Sequence, residues 1–223
     1  MQLMQDGMAQ SGTVVSAKFQ SAGKGQRGKL WVSKPGENIA MSVVLADVRD
    51  MDMFRMAFLV PVCVRQVLQE FMPECQVVIK WPNDIYVHDK KICGILIENV
   101  FRGSSLKGSV VGIGINLNQS EFGLPDKVPT SVVLETGRRH NPLDVIVAVR
   151  AAVLNGLRLP LAMLQEEYNC FLWRKGAEVT LKEVASETIC EGSVVAVKTD
   201  FELVVKDVQQ RVHRFGFGSV QWL

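Results

Sequence analysis

Lys80-Trp81-Pro82-Asn83-Asp84-Ile85-Tyr86, then Lys90-Lys91-Ile92-Cys93-Gly94-Ile95-Leu96, then Gly112-Ile113-Gly114-Ile115-Asn116-Leu117 form the stretch on which the reading turns. Trp81 to Asp84 reads as a turn joining strands, because Asn83 and Asp84 can hydrogen-bond their own backbone. Gly94 and Gly112, set within apolar strands, mark places where a ligand or another backbone comes close. Lys91 is a cation on a strand between two turns, either held on a rigid scaffold or simply solvated at an edge.

Working upstream, Gly23-Lys24-Gly25-Gln26-Arg27-Gly28 spells G-x-G-x-x-G after a strand at Thr13 to Phe19. Asp47 lies about twenty residues further on, which completes the dinucleotide fingerprint by spelling alone. That motif needs its third glycine to open a helix whose N-terminus holds the pyrophosphate. Lys29 to Gly36, with Val32, Pro35 and Gly36, does not read as a helix. A kinase reading of Val78-Ile79-Lys80 fails too, since no H-R-D or D-F-G follows. The charge pattern is more informative. Lys18, Lys24, Arg27, Lys29 and Lys34 are five cations in a run without an acid. A glycine-hinged cationic loop suits closure over an anionic ligand, the alternative being a solvated basic loop. Trp31 at its end either walls a planar ligand or packs in the core.

The 223 residues are 48% hydrophobic and 22% charged, which excludes disordered and collagen-like classes. Lys and Arg number 25 against 23 Asp and Glu, a net charge of +2. Such a balance gives no global field for nucleic acid, so an anion site has to be local and no nucleic-acid partner is expected. No apolar run approaches about 18 residues, so no membrane span is expected. The five cysteines, Cys63, Cys75, Cys93, Cys170 and Cys190, include no C-x-x-C pair and read as reduced thiols of a cytoplasmic protein. Met1 to Gly7 lacks the features of a signal peptide. Its apolar positions, with Met8, look like the end of a helix, so the chain is expected to begin inside an element with an N-terminal strand missing.

Further strands are expected at Asn38 to Leu45, Val77 to Lys80, Lys91 to Phe101 and Ser109 to Leu117. A helix is expected over Asp52 to Phe71, bent at Pro61. Asn141-Pro142 opens another, running to about Arg158, and a third covers Leu161 to Trp173. Beyond Trp173, short strands recur about every ten residues, which suggests a small all-β barrel or meander. The domain boundary is therefore expected near residue 174.

Taken in order, the G-x-G-x-R-G-x-x-W loop, K-W-P-N-D, K-x-x-G-I-L and G-I-G-I-N resemble the biotin protein ligases, the biotin–[acetyl-CoA-carboxylase] ligases, in their short form without a DNA-binding domain. The resemblance is strong over residues 13 to 118. It implies an α+β fold. In it, residues 1–173 form a biotin- and ATP-binding catalytic domain, a mixed sheet flanked by helices as in class II synthetases and lipoate ligases. Residues 174–223 form a small SH3-like β-barrel. It also implies a two-step reaction in which the biotin carboxylate attacks the α-phosphate of Mg-ATP, and a lysine of a biotin carboxyl carrier domain then takes the biotinyl group from biotinyl-5′-AMP. The cofactors implied are ATP and Mg²⁺, with biotin as substrate. A homodimer is allowed by the resemblance.

By the same match Lys91, Arg27 and Lys29 are the catalytic cations. Gln20, Gly23, Lys24, Trp31, Lys91, Gly94, Leu96 and Gly112 would bind biotin. Lys24, Arg27, Lys29, Trp31, Asn83 and Asn116 would surround the nucleotide, with Asn83 and Asn116 near the metal. Lys80 and Asp84 would set the surroundings of the acceptor lysine. Two departures stand out. Gln26 replaces a usual arginine, and the family's early Ser-Thr-Asn segment is not found upstream of Gly12. These keep open a lipoate or octanoyl ligase of the same superfamily, or a non-catalytic binding relative.

Overall fold

The computed structural model describes residues 8–26, 30–31, 33–46, 54–102, 105–123 and 129–223. The expected end of a helix at residues 1–7 lies outside them. In chain order the strands are β1 (Val14–Ala17), β2 (Gly23–Lys24), β3 (Leu30–Trp31), β4 (Ile39–Ala46), β5 (Val77–Lys80), β6 (Asp84–Val87), β7 (Lys90–Arg102) and β8 (Ser105–Ile115). After them come β9 (Glu178–Glu183), β10 (Ile189–Val197), β11 (Leu203–Lys206), β12 (Val212–Phe215) and β13 (Val220–Trp222). The helices are α1 (Arg55–Phe71), α2 (Val132–Thr136), α3 (Pro142–Gly156) and α4 (Leu161–Cys170).

Six strands build the main sheet in the order β1-β4-β8-β7-β6-β5. Among the described residues its ladders are antiparallel, and single parallel bridges join Ile79 to Leu172 and Lys91 to Pro129. Strand alternation sorts the residues into two faces. One carries Ile39, Met41, Val43 and Leu45 of β4, Val111, Ile113 and Ile115 of β8, and Cys93 and Ile95 of β7. All of these are buried in one cluster with Phe58, Leu59 and Leu68 of α1 and with Val145, Val149 and Val153 of α3. The helices follow local rules. The Asn141 side chain accepts a hydrogen bond from the Leu143 amide at 3.1 Å, with Pro142 opening α3 as expected. Helix α4 stops at Cys170 rather than Trp173. The chain there pairs with β5 instead: the Ile79 amide donates to Phe171 O and the Trp173 amide to Ile79 O, both at 2.8 Å.

The second sheet has the order β12-β11-β10-β9-β13. The small all-β unit expected there as a barrel or meander is an open sheet among the described residues, which corrects the barrel alternative alone. Strands β12 and β13 are its two edges, with four and three residues. Each is paired on one side only, whereas closure requires the edges to meet. This sheet docks on the first through Phe201. Its ring meets Phe58 edge-on at 4.9 Å, and its carbonyl accepts the Trp81 indole N–H at 3.0 Å. The two units thus share a continuous core.

Candidate functional site

The face of the main sheet opposite the helices is built of small residues. Cross-strand register puts Lys80, Asp84, Gly94, Gly114, Ala40 and Ala17 in one row across all six strands. The next row holds Leu96, Gly112, Ser42 and Val15. Strand partners share a face, so these rows form a shallow floor of glycine, alanine and serine.

Trp31 lies on this floor. A Cβ built on Gly114 would sit 2.6 Å from Trp31 Cε2, and one on Gly94 would sit 3.4 Å from Trp31 Cζ3. Gly114 therefore has to be glycine for the indole to lie where it does. The indole N–H is buried and has no acceptor among the described residues. Buried donors in folded proteins almost always find a partner, and the one missing here points to a ligand acceptor.

Lys91 reaches the same floor because of an irregularity in β7. Ile85 pairs with Cys93, but Tyr86 pairs with Lys91, so Ile92 is an extra residue in the ladder. Regular alternation would turn Lys91 to the helix side with Cys93 and Ile95. The bulge reverses it, as bulges characteristically re-aim a side chain. Its Nζ would be 3.1 Å from a Cβ on Gly94, and it forms an ion pair with Asp84 Oδ1 at 2.6 Å. The two side chains are 30% and 19% exposed, enough burial to hold the ammonium in place and enough access to meet a ligand.

Gln20, Gln26, Trp31, Asn83, Lys91 and Leu96 line a cavity of 290 Å³ over the floor, with Gly94, Gly112 and Gly114 below. Asn83 also lines a smaller, mainly apolar cavity of 180 Å³ with Phe54, Pro82, Ile97 and Phe217. The Asn83 amide nitrogen donates to Ile95 O at 2.8 Å, tying the turn to β7. Gly23, paired with Trp31, sits against the Gln20 side chain, where an added Cβ would lie 2.9 Å from Gln20 Oε1.

Other expected residues fall elsewhere. Asn116 is buried and absent from the cavity wall; its amide donates to Thr130 O at 2.9 Å and anchors the chain leading into α2. Lys80 is buried among the rings of Trp173, Tyr86 and Trp222, at 4.1, 4.7 and 5.4 Å. Its Nζ donates to the Tyr86 hydroxyl at 3.4 Å. Arg27 and Lys29 lie outside the described residues, and only the backbone of Lys24 is described. Sequence reasoning missed Gly114, Ala40, Ser42 and Glu98 as cavity residues. A signal for the first three was present: small residues at alternate positions of β4 and β8 match those of β7.

Neither Cys63 nor Cys93, the two buried cysteines, is poised as a nucleophile. Burial pushes the Cys63 thiol up to about 12, and burial raises Cys93 as well, despite the opposing Lys91 charge. Among the described residues no group of three or more His, Cys, Asp or Glu side chains could hold a metal ion.

The model of the biotin/lipoate A/B protein ligase family matches residues 2–116, just over half of the chain. The chain belongs to this family. It is 34% identical over 142 residues to the bifunctional ligase/repressor BirA of Bacillus subtilis, covering 62% of this chain and 43% of that protein. It is 31% identical over 141 residues to the biotin–[acetyl-CoA-carboxylase] ligase of Paracoccus denitrificans, covering 59% and 57%. The chain thus spans about half the length of these family members. Among solved structures, the biotin protein ligase of Aquifex aeolicus in complex with biotin and ATP superposes with a TM-score of 0.79. It is 23% identical and covers 96% of this chain and 90% of that one, a likeness of fold.

Proposed function

We propose that the chain is an ATP-dependent biotin ligase. The carboxylate of biotin attacks the α-phosphate of ATP, biotinyl-5′-AMP forms and pyrophosphate leaves. The amine of a lysine on a biotin carboxyl carrier domain then attacks the acyl carbon, and AMP leaves. The observation that carries this reading is Lys91, re-aimed by a bulge onto a glycine floor beneath Trp31 and held there by Asp84.

Two anions have to meet in the first step, so the main task is positioning and fixed positive charge. Lys91 supplies that charge beside the carboxylate and the α-phosphate, and Asp84 fixes its direction. Trp31, Leu96 and the glycines enclose the tail and ring of biotin, and Gln20 and Gly23 approach its head group. Asn83, common to both cavities, is placed for the nucleotide, with an apolar slot beside it. Lys24, Arg27 and Lys29 belong to the loop whose closure would shield the adenylate from water. The reaction itself needs no protein nucleophile.

Magnesium usually keeps several waters and takes one or two protein oxygens besides substrate phosphates. The described residues suit that sparse mode, with Asn83 among the side-chain oxygens at the cavity; Asn116, tied to Thr130, lies outside its wall. The ion would neutralise phosphate charge when bound with ATP.

The relatives named as biotin ligases support biotin over lipoate, as does Trp31 on its floor. We infer further that residues 174–223, docked through Phe201 and Trp222, form a unit that steadies the Trp81–Asp84 turn, since the Trp222 indole donates to Trp81 O at 3.2 Å. No described helix is long and apolar enough to cross a membrane, and the free cysteines are consistent with a cytoplasmic setting. The test incubates the protein with labelled biotin, ATP and a carrier domain, with lipoate as competitor. Label on the carrier lysine, undiminished by lipoate, is the expected result. Biotin binding with neither adenylate nor transfer would instead make it a binding protein.

A further inference from the structure

We infer that Asn116 is a positioning residue: through Thr130 it holds the backbone of Lys91 at the bulge and keeps the ammonium on the cavity face. This rests on the ligase reading above and deepens it.

A bulge has to be held in place, because a slip of one residue sends each side chain to the other face. At Lys91 the neighbouring strand gives no help. The last residue of β8, Ile115, stands opposite Cys93, so the ladder stops short of the lysine. The chain beyond β8 takes over that task. The Asn116 amide donates to Ile92 O and the Thr130 amide to Lys91 O, both at 2.9 Å. A parallel bridge between Lys91 and Pro129 marks the same contact. The extra residue and the lysine before it are thus each fixed by one backbone hydrogen bond from this segment.

Thr130 can do this only if it is itself fixed, and two side chains fix it. The Asn116 Nδ2 donates to Thr130 O at 2.9 Å, and the Thr130 hydroxyl donates to Glu135 Oε1 in α2. Asn116 and Thr130 are both buried, so losing the amide would leave a buried carbonyl without that donor. Glu135 braces the other side as well. Its carboxylate stands 3.9 Å from Lys90 Nζ and 3.8 Å from His88 Nε2, on the turn that leads into β7. The consecutive lysines are therefore tied apart, Lys90 to Glu135 and Lys91 to Asp84. Asn116 lies outside the cavity wall, so its influence on the reaction has to pass through Lys91. That influence is large in principle, since a misplacement of about 1 Å can cost about 100-fold in rate.

The test measures biotin-dependent pyrophosphate release, as kcat and KM for ATP, in the full chain as wild type, Asn116→Ala, Lys91→Ala and the two combined. Asn116→Ala should lower kcat about 10- to 100-fold and leave KM for ATP near wild type. A residue that touched the nucleotide directly would raise KM instead. Adding Asn116→Ala to Lys91→Ala should cost nothing more, because effects that pass through one group do not add. Thr130→Val keeps the amide bonded to Lys91 but removes the hydroxyl bonded to Glu135. It should show the same split at smaller size, with Thr130→Ser restoring kcat, and this pair decides the matter if Asn116→Ala does not fold. A raised KM with unchanged kcat in Asn116→Ala, losses that multiply in the double variant, or wild-type kcat in Thr130→Val would overturn the positioning role and leave the ligase reading standing. A wild-type protein that releases no pyrophosphate with biotin and ATP would overturn both.

Discussion

The two faces of the main sheet are made by the same strands and have opposite characters. On β4, Ile39, Met41, Val43 and Leu45 point to the helices, while Ala40 and Ser42 point to the cavity. On β8, Val111, Ile113 and Ile115 alternate with Gly112 and Gly114 in the same way. The helix face buries large aliphatic side chains and supplies stability. The other face has given up that burial, and the emptied space holds Trp31, Lys91 and the cavity. The difference teaches that binding capacity here comes from omission. Strands stable on one side alone can leave bare backbone exposed to a ligand on the other.

Four substitutions would break or sharpen that contrast. The largest effect should come from Lys91→Ala on the cavity face. Biotin-dependent pyrophosphate release should fall about 100-fold or more, the scale for losing one preorganised charge-stabilising group. Its melting temperature should stay near wild type, because the residue is partly exposed. Wild-type pyrophosphate release would overturn the assigned role.

Leu45→Ala on the helix face should do the reverse. Emptying a fully buried site costs about 2–5 kcal/mol, read by urea denaturation, while the folded fraction keeps its KM for biotin. A selective rise in KM with unchanged stability would show the two faces are not separable in this way.

Gly112→Ala probes the floor itself. The new Cβ meets only Leu96 atoms, at 3.5 and 3.6 Å, so the fold should accept it while the methyl group intrudes on the ligand. Biotin affinity should drop about tenfold, as for overpacking of about 1–3 kcal/mol. An unchanged dissociation constant would mean that biotin does not lie on Gly112. The smallest effect is expected of Gln26→Arg, which restores a charge at the cavity rim. Release of biotinyl-AMP in single-turnover measurements should slow by a few fold, in line with a partly exposed charge contact. Faster release would count against loop closure by charge.

Much of this was legible in the sequence because it is written in short-range patterns. Asn141-Pro142 names its own cap, Val77–Lys80 is a strand within those limits, and the alternation in β4 and β8 is plain. The order of motifs identified the family, and the family model agrees. What escaped depended on register. Nothing local in Lys90-Lys91-Ile92-Cys93 announces that Ile92 is the extra residue, yet that bulge alone brings Lys91 to the site face. The tie of Asn116 to Thr130, fourteen residues on, could be seen only once the chain was folded. The Lys80 ammonium meets Trp222 because β13 docks 140 residues away in sequence, a contact no window of sequence contains. The choice between barrel and meander stayed open for a related reason, since strand spacing counts strands but does not say whether the edges meet.

The most direct test of the account is a crystal structure of the protein with biotin bound. The biotin carboxylate should lie within hydrogen-bonding distance of Lys91 Nζ, with the tail and ring enclosed by Trp31, Leu96 and the glycine floor. Biotin seated instead in the apolar slot between Phe54 and Phe217, with the glycine floor empty, would contradict it.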